Sequence, residues 1–140
     1  MFCLKIAAVD LGDVRTGLAF SDLTGFIAGR AVTLTANSRA ELVEKICAEL
    51  KAERAEKVVV GLPLNMDGSE GDRALKAKAF AEILRDACGL PVVMWDERGT
   101  SVTANRLLSD AGKKRGKQRQ KVDAVAASII LQSFLDANPR

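Results

Sequence analysis

The first part of the chain has the hydrophobic pattern of strands, and from Ser38 onward the helical pattern appears. This change constrains the fold more than any other feature. Residues 4–10, 16–21 and 26–34 are typical of strands, and the turns between them are short. Strands joined by such short turns are predicted to pair antiparallel. From Ser38 onward, apolar residues recur at helical spacing, and only short apolar runs separate the helical segments.

The second part of the chain is predicted to alternate helices with short buried strands. Ser38 and Glu41 have the spacing of a helix capping box, which predicts a helix from Ser38 to about Arg54. Strands are then predicted at 58–60 and 91–95, and further helices at 72–87, 101–111 and 122–135. In the second helix, four residues are predicted to face inward: Leu75, Phe80, Ile83 and Leu84.

This order of elements predicts an α/β fold in a single domain that spans residues 1–140. Strands connected through helices run parallel, and right-handed crossovers place those helices on the sheet. The predicted sheet therefore has five strands and is mixed, with the first three antiparallel, then a β-α-β-α order, and helices on both faces. A length of 140 residues and a hydrophobic content of 48% suit one compact globular domain.

The start of the chain and its apolar runs predict a cytoplasmic protein with no membrane partner. No apolar run approaches the roughly 20 residues of a membrane helix. The first ten residues are strand-like and lack the small-residue cleavage site of a signal peptide. The net charge of +3 is only mildly basic, so the distribution of the charges is more informative than their sum.

The absence of histidine restricts the chemistry that the chain can perform. Serine and cysteine triads need an imidazole base, and most zinc sites need imidazole or thiolate ligands. The three cysteines, Cys3, Cys47 and Cys88, are widely spaced, form no CxxC pair and are predicted to be buried and unreactive. Any hydrolysis is therefore expected to depend on carboxylates, lysine or a hard metal ion.

Three acidic residues are the candidates for catalysis and metal binding: Asp10, Glu97 and Asp123. Asp10 and Glu97 follow predicted strands at their carboxyl ends, where open α/β sheets form their sites. Asp123 lies in the first turn of the most apolar predicted helix. Each has a structural alternative, since Asp10 could start a turn and Glu97 could pair with Arg98. A carboxylate in the first turn is also favoured by the helix dipole.

Carboxylates from three distant segments suit a hard divalent cation, either Mg²⁺ or Mn²⁺. Such an ion activates water and stabilises the leaving oxygen in phosphodiester cleavage. With a strand order of 3-2-1-4-5, the fifth strand would lie roughly 10 Å from the first, at ~4.8 Å per strand. Glu97 would then have to reach across the fourth strand to share a metal with Asp10.

A basic segment just before Asp123 predicts binding to a polyanion. Six of the nine residues from Lys113 to Lys121 are basic, and no acid lies between Asp110 and Asp123. These cations could neutralise nucleic-acid phosphates, although a solvated, mobile loop is the alternative. The predicted nucleic-acid-binding residues are Arg15, Arg98, Lys113, Lys114, Arg115, Lys117, Arg119 and Lys121.

Four segments together resemble the YqgF-type (RuvX) family, whose members are described as Holliday junction resolvases and as nucleases that mature the 5′ end of pre-16S rRNA. The segments follow the family's order and span the chain. They are residues 10–17 with the pattern DxGxxRxG, residues 60–71 with VGLP and a polar loop, residues 96–101 with DER and a Thr-Ser pair, and residues 121–131 with KVD and a helix.

The resemblance implies an RNase H-like fold and a catalytic, metal-binding role for Asp10, Glu97 and Asp123. It implies a nuclease acting on structured nucleic acid, with the 5′ end of pre-16S rRNA as the leading substrate and branched DNA as the alternative. A nucleic-acid-binding protein without catalysis is the alternative from another class. A resolvase that cuts two strands symmetrically is expected to form a homodimer, whereas a strict monomer would favour the RNA role.

Two positions depart from the pattern of the family and its relatives. Gly99 stands where the family usually has a larger residue, and this glycine is expected to loosen the loop that holds Glu97. The related RuvC-type resolvases have two acids in the last helix, whereas this chain offers Asp123 followed by Ala126 and Ala127. The number of metal ions that the three acids hold is therefore left open between one and two.

Overall fold

One five-stranded sheet organises the computed structural model, which describes residues 5–22, 28–96 and 119–137, with the backbone alone for 119–124. The strands lie in the order β3-β2-β1-β4-β5. Their bounds are Ile6–Asp10 for β1, Arg15–Ser21 for β2, Ala28–Thr35 for β3, Lys57–Leu62 for β4 and Val92–Asp96 for β5. The first three strands pair antiparallel, and β4 and β5 extend the sheet parallel to β1. The predicted mixed sheet and its strand order are confirmed.

The first two helices follow the sequence signals closely. Helix α1 spans Arg39–Glu53 and helix α2 spans Asp72–Cys88. Ser38 caps α1, since its Oγ accepts a hydrogen bond of 3.1 Å from the backbone N–H of Glu41. The Glu41 carboxylate in turn accepts from the N–H of Asn37 at 3.2 Å, one residue before the expected partner. The predicted helix at 101–111 lies outside the described residues.

Each face of the sheet is covered by helices, as predicted. Alternate strand residues such as Val9, Leu18 and Val60 form one apolar core with α1 and α2. Ile6, Ala8, Ala19 and Val59 point to the other face, where they pack against the last helix, α3, which spans Arg119–Ala137. None of the helices within the described ranges is long and apolar enough to cross a bilayer.

The inward face of α2 differs from the prediction. Leu75 and Ile83 are 56% and 50% exposed, whereas Phe80 and Leu84 are buried as predicted. Because successive residues turn by about 100°, the buried stripe runs through alanines at 74, 77 and 81, and Leu75 lies almost opposite. The small alanines let the helix lie close to the sheet, so the largest apolar residues do not mark the inward side.

Helix α3 begins earlier than predicted, at Arg119 instead of Val122. Asp123 therefore lies in the second turn, and the expectation that it lies in the first turn is wrong. The dipole effect is concentrated in the first turn of a helix. The helix dipole alone thus explains an acid at this position less well than the sequence suggested.

Candidate active site

Asp10 is the last residue of β1, at the edge of the sheet where the parallel strands β1, β4 and β5 end. We call this the carboxyl edge. Side chains alternate along a strand, so Asp10 shares the face of Ile6 and Ala8, which α3 covers. Its register partner on β2 is Gly17. The neighbouring strand therefore presents no side chain beside the carboxylate, which is half-buried.

Gly12 closes the turn that follows Asp10. A Cβ atom added at this position would lie 2.1 Å from the carbonyl oxygen of Arg15. No larger residue fits without a shift of the backbone between β1 and β2. The tight turn therefore requires glycine. It connects Asp10, at the end of β1, to Arg15, at the start of β2.

Arg15 lies at the same edge and on the same face as Asp10. It shares the alternation of Gly17 and Ala19, and Ala19 packs under α3. The other predicted contacts with nucleic acid fall differently. Arg119 and Lys121 belong to the first turn of α3, while Arg98, Lys113, Lys114, Arg115 and Lys117 lie outside the described residues, as does Glu97.

Contacts near the end of α3 orient this helix on the sheet. Gln132 Oε1 accepts a hydrogen bond of 3.0 Å from the N–H of Ala28, which begins β3. The ammonium of Lys57, the first residue of β4, lies 5.1 Å from the ring centroid of Phe134. Both strand starts lie opposite the carboxyl edge. The preceding turns of α3 therefore run back toward the carboxyl edge, and Asp123 lies on them.

The end of β5 is attached to the same helix. Trp95 Nε1 donates a hydrogen bond of 3.1 Å to Ser133 Oγ, and the Trp95 and Phe134 rings meet edge to face with centroids 5.3 Å apart. Asp96 follows as the last residue of the strand, in register with Leu62. The strand that leads to Glu97 is thus fixed against the helix that carries Asp123.

The polar loop between β4 and α2 is held by its own side chains. Ser69 Oγ donates to Asp67 Oδ1 at 2.6 Å and accepts from Asn65 Nδ2 at 2.9 Å. The Gly68 N–H donates to the Asn65 carbonyl, and Gly68 adopts a φ of 88°, which favours glycine. These motif residues therefore shape the loop, at whose tip Met66 is 88% exposed.

A polar depression that the sequence reading missed lies beside Asp10. Its lining includes Gly12, Gly61 and Pro63, the acids Asp10 and Asp13, and three cationic residues from two helices: Arg39, Arg73 and Lys76. The Arg39 guanidinium also lies 5.4 Å from the ring centroid of Phe80. A signal was present in the sequence, because Arg39 and Arg73 each stand one turn before buried residues of their helix, where an apolar residue would continue the pattern.

The cysteine prediction is met in part. Cys47 and Cys88 are half-buried, and burial raises the pKa of the Cys47 thiol, which disfavours the reactive thiolate. Cys3 lies outside the described residues. Across the ranges 5–22, 28–96 and 125–137, for which side chains are described, no three acidic or thiol side chains group closely enough to hold a metal.

The mixed sheet in the order β3-β2-β1-β4-β5, with helices on both faces, places the chain in the RNase H-like fold class. RuvC from Thermus thermophilus, solved with a Holliday junction substrate, matches with a TM-score of 0.62 at 14% identity. The match covers 96% of this chain and 95% of the RuvC chain. The RNase H-like fold predicted from the sequence is thereby confirmed.

Sequence comparison gives the particular family. The family described as RuvX, Holliday junction resolvase, matches residues 4–137, and the chain belongs to it. A relative from Pelotomaculum thermopropionicum is 44% identical, over 98% of this chain and 90% of the relative. Another from Caldanaerobacter subterraneus is 42% identical, over 96% and 97%. Both relatives are provisionally named pre-16S rRNA nucleases. The chain is accordingly a nuclease that hydrolyses phosphodiester bonds.

Proposed function

We propose that the chain is a divalent-metal-dependent nuclease of a single domain, in which Asp10, Glu97 and Asp123 hold Mg²⁺ or Mn²⁺. The observation that carries the proposal is the position of Asp10, which ends β1 on the face covered by α3. Asp123 lies on that helix, and Trp95 attaches the strand before Glu97 to it. Carboxylate oxygens in a chain without histidine fit a hard cation.

The roles of the protein residues follow from this arrangement. When bound, the metal ion would favour ionisation of the attacking water and stabilise charge on the phosphate. Arg15, on the face of Asp10, would contact a phosphate oxygen of the substrate. The cations from Lys113 to Lys121 would contact the backbone on either side, since they lead into the helix of Asp123.

The proposed substrate is the 5′ end of pre-16S rRNA in the cytoplasm. The names of the relatives support it. A branched DNA junction is the second candidate, because the family description is that of a Holliday junction resolvase. Symmetric cleavage of a junction needs two active sites, so the DNA role predicts a homodimer, which sedimentation of the purified protein would detect. Cleavage of junctions by such a dimer, with no cleavage of precursor RNA, would overturn the rRNA assignment.

The test is cleavage of both substrates by purified protein with Mg²⁺ or Mn²⁺. We expect Asp10→Asn and Asp123→Asn to lower the rate at least about 100-fold, since substitution of groups that only orient metal ligands already lowers activity about 10–100-fold. Asp86→Asn is the matched control, because Asp86 is an exposed acid in the last turn of α2, at the opposite edge. Activity that survives both substitutions would overturn the site. Salt-sensitive binding without cleavage under any divalent metal would instead indicate a binding protein.

A further inference from the structure

We propose that Arg39, Arg73 and Lys76 form a binding site for a backbone phosphate next to the one that is cleaved. The inference rests on the proposed function, because it assumes that the cleaved phosphate lies at Asp10. It assigns a positioning role to residues on the helices α1 and α2, outside the basic segment at 113–121 that the sequence suggested. The geometry and the charges of the depression support it.

The helix geometry directs two of the cations over the carboxyl edge. Arg39 precedes the buried Val43 by one turn, and Arg73 precedes the buried Ala77 by one turn. Both therefore lie on the inward stripes of their helices, yet both are exposed. Both side chains line the depression beside Asp10.

Among the described side chains, the three cations of the depression lack ion pairs of the kind that Lys78 and Arg30 form. Lys78 lies 2.5 Å from a Glu70 oxygen, and Arg30 lies 2.8 Å from Glu49. Among the residues that the structure describes, by contrast, no carboxylate lies within 4.0 Å of the cationic groups of Arg39, Arg73 and Lys76. Three neighbouring cations without such pairs favour an anion between them.

The depression is shallow, with a volume of about 20 Å³, so a phosphate would rest against its rim. Gly12 and Gly61 line it without side chains beyond Cα. Helix α2 starts at the same edge, and its N-cap residue, Gly71, offers no side-chain hydrogen bond to the first turn. Uncapped N–H groups at a helix start attract phosphate oxygens, and the dipole acts in the same direction. Asp72 is an exposed acid in that first turn, so the three cationic side chains, and not the helix start, carry the case for phosphate binding.

The two sides of the carboxyl edge would divide the contacts with one strand of substrate. Asp10 ends β1 on the α3 face and borders the depression, whereas the three cations of the depression come from α1 and α2. A nucleic-acid strand that crosses the carboxyl edge would place one phosphate at Asp10 and a neighbouring phosphate among the cations. The depression would thus fix the position of the nucleic acid along the sheet edge and take no part in cleavage of the phosphodiester bond.

The test compares two double substitutions in the Asp10→Asn background, where binding is measured without cleavage. Arg73→Gln with Lys76→Gln removes two cations of the site and keeps Arg39, which also packs on Phe80. Lys51→Gln with Arg85→Gln is the matched control, because these exposed cations lie in the last turns of α1 and α2, at the opposite edge. Both pairs change the net charge equally. The probe is a fluorescein-labelled single-stranded RNA, titrated at several salt concentrations.

We expect the first pair to weaken binding about tenfold or more, and the control pair to leave it unchanged. The slope of log affinity against log salt should also fall by about 0.7 for each lost phosphate contact. Equal effects of both pairs would overturn the inference, since they would indicate only a general charge effect.

Cleavage by the otherwise native protein separates the two proposals. Full kcat/KM with Arg73→Gln and Lys76→Gln would overturn the inference and leave the proposed nuclease site intact. Loss of kcat/KM through a raised KM would support it. If the native protein cleaves no nucleic acid with any metal, the proposed function fails, while the difference in RNA binding still decides whether the phosphate site exists.

Discussion

Trp95 Nε1 donates a hydrogen bond to Ser133 Oγ at 3.1 Å and thereby links the end of strand β5 to helix α3. The two residues are 38 positions apart in sequence, and both are half-buried. The contact joins the strand that precedes Glu97 to the helix that carries Asp123. It is therefore the clearest link between two of the three segments that supply the proposed metal ligands.

Removal of this contact is expected to lower the stability of the protein. Ser133→Ala removes only the acceptor and should lower the free energy of unfolding by about 0.5–1.5 kcal/mol. Trp95→Ala also removes the edge-to-face packing on Phe134 and should lower it by about 3–5 kcal/mol. Urea denaturation measures both values. Equal effects of the two substitutions would show that packing contributes little here.

Gly12→Ala is expected to be more damaging than a glycine substitution in a strand. The added Cβ would lie 2.1 Å from the Arg15 oxygen, so the turn must shift, at a cost of about 1–3 kcal/mol. Gly29→Ala is the control, because its Cβ would meet Phe20 O at 3.4 Å, an ordinary contact. We expect the control to be near neutral. Thermal denaturation compares the two, and similar melting temperatures would contradict the role assigned to Gly12.

Alanine substitution of two leucines in α2, one buried and one exposed, tests which side of this helix faces the sheet. Leu84 is fully buried and Leu75 is 56% exposed. Leu84→Ala should therefore lower the free energy of unfolding by about 2–5 kcal/mol, because it leaves a cavity against the sheet. Leu75→Ala should change it by less than about 0.5 kcal/mol. Chemical denaturation would refute the described orientation of α2 if Leu75→Ala proved the more destabilising.

The carboxylate of Glu53 should make stability depend on pH. A hydrogen bond of 2.8 Å from Lys5 is the main reason that the pKa of Glu53 lies below 4.5, and Arg30 adds to it. A carboxylate whose pKa is lowered by folding stabilises the native state above the unfolded pKa and loses that effect as the pH falls through the folded pKa. Glu53→Gln should therefore lower the free energy of unfolding at neutral pH by about 0.5–1 kcal/mol.

The same variant should approach the native protein in stability as the pH falls below 4.5. Urea denaturation across this range gives the difference at each pH. Glu56→Gln is the control, because Glu56 is exposed and has no ion pair among the described side chains. A difference for Glu53→Gln that stays constant with pH would contradict the assigned ion pair.

The strand order and crossovers could be predicted because they follow from connection lengths alone. The short connections after Asp10 and Ser21 favour antiparallel neighbours, and the helices after Thr35 and Leu62 favour parallel ones. The inward face of α2 could not be predicted in the same way. Its packing depends on how closely a helix can approach the sheet, and this favours Ala74 and Ala77 over the larger Leu75.

Asp10 could be selected as a candidate from the sequence, because a carboxylate is exceptional in an otherwise apolar strand, and the structure places it at the end of β1. Its role as a metal ligand stays a prediction. Arg39 and Arg73 could not be selected, because cations on helices are usually solvated. Their position beside Asp10 depends on how α1 and α2 pack on the sheet, and the sequence alone does not give that packing.

The alternation of exposed and buried residues at the start of α2 also bears on how such a protein can diverge. Arg73 and Lys76 are exposed and lie outside the apolar core, so we expect their replacement to leave folding almost unaffected. Ala74 and Ala77, one to four positions away, are completely or almost completely buried. Selection can therefore change the charges at this edge while the fold beneath it stays the same.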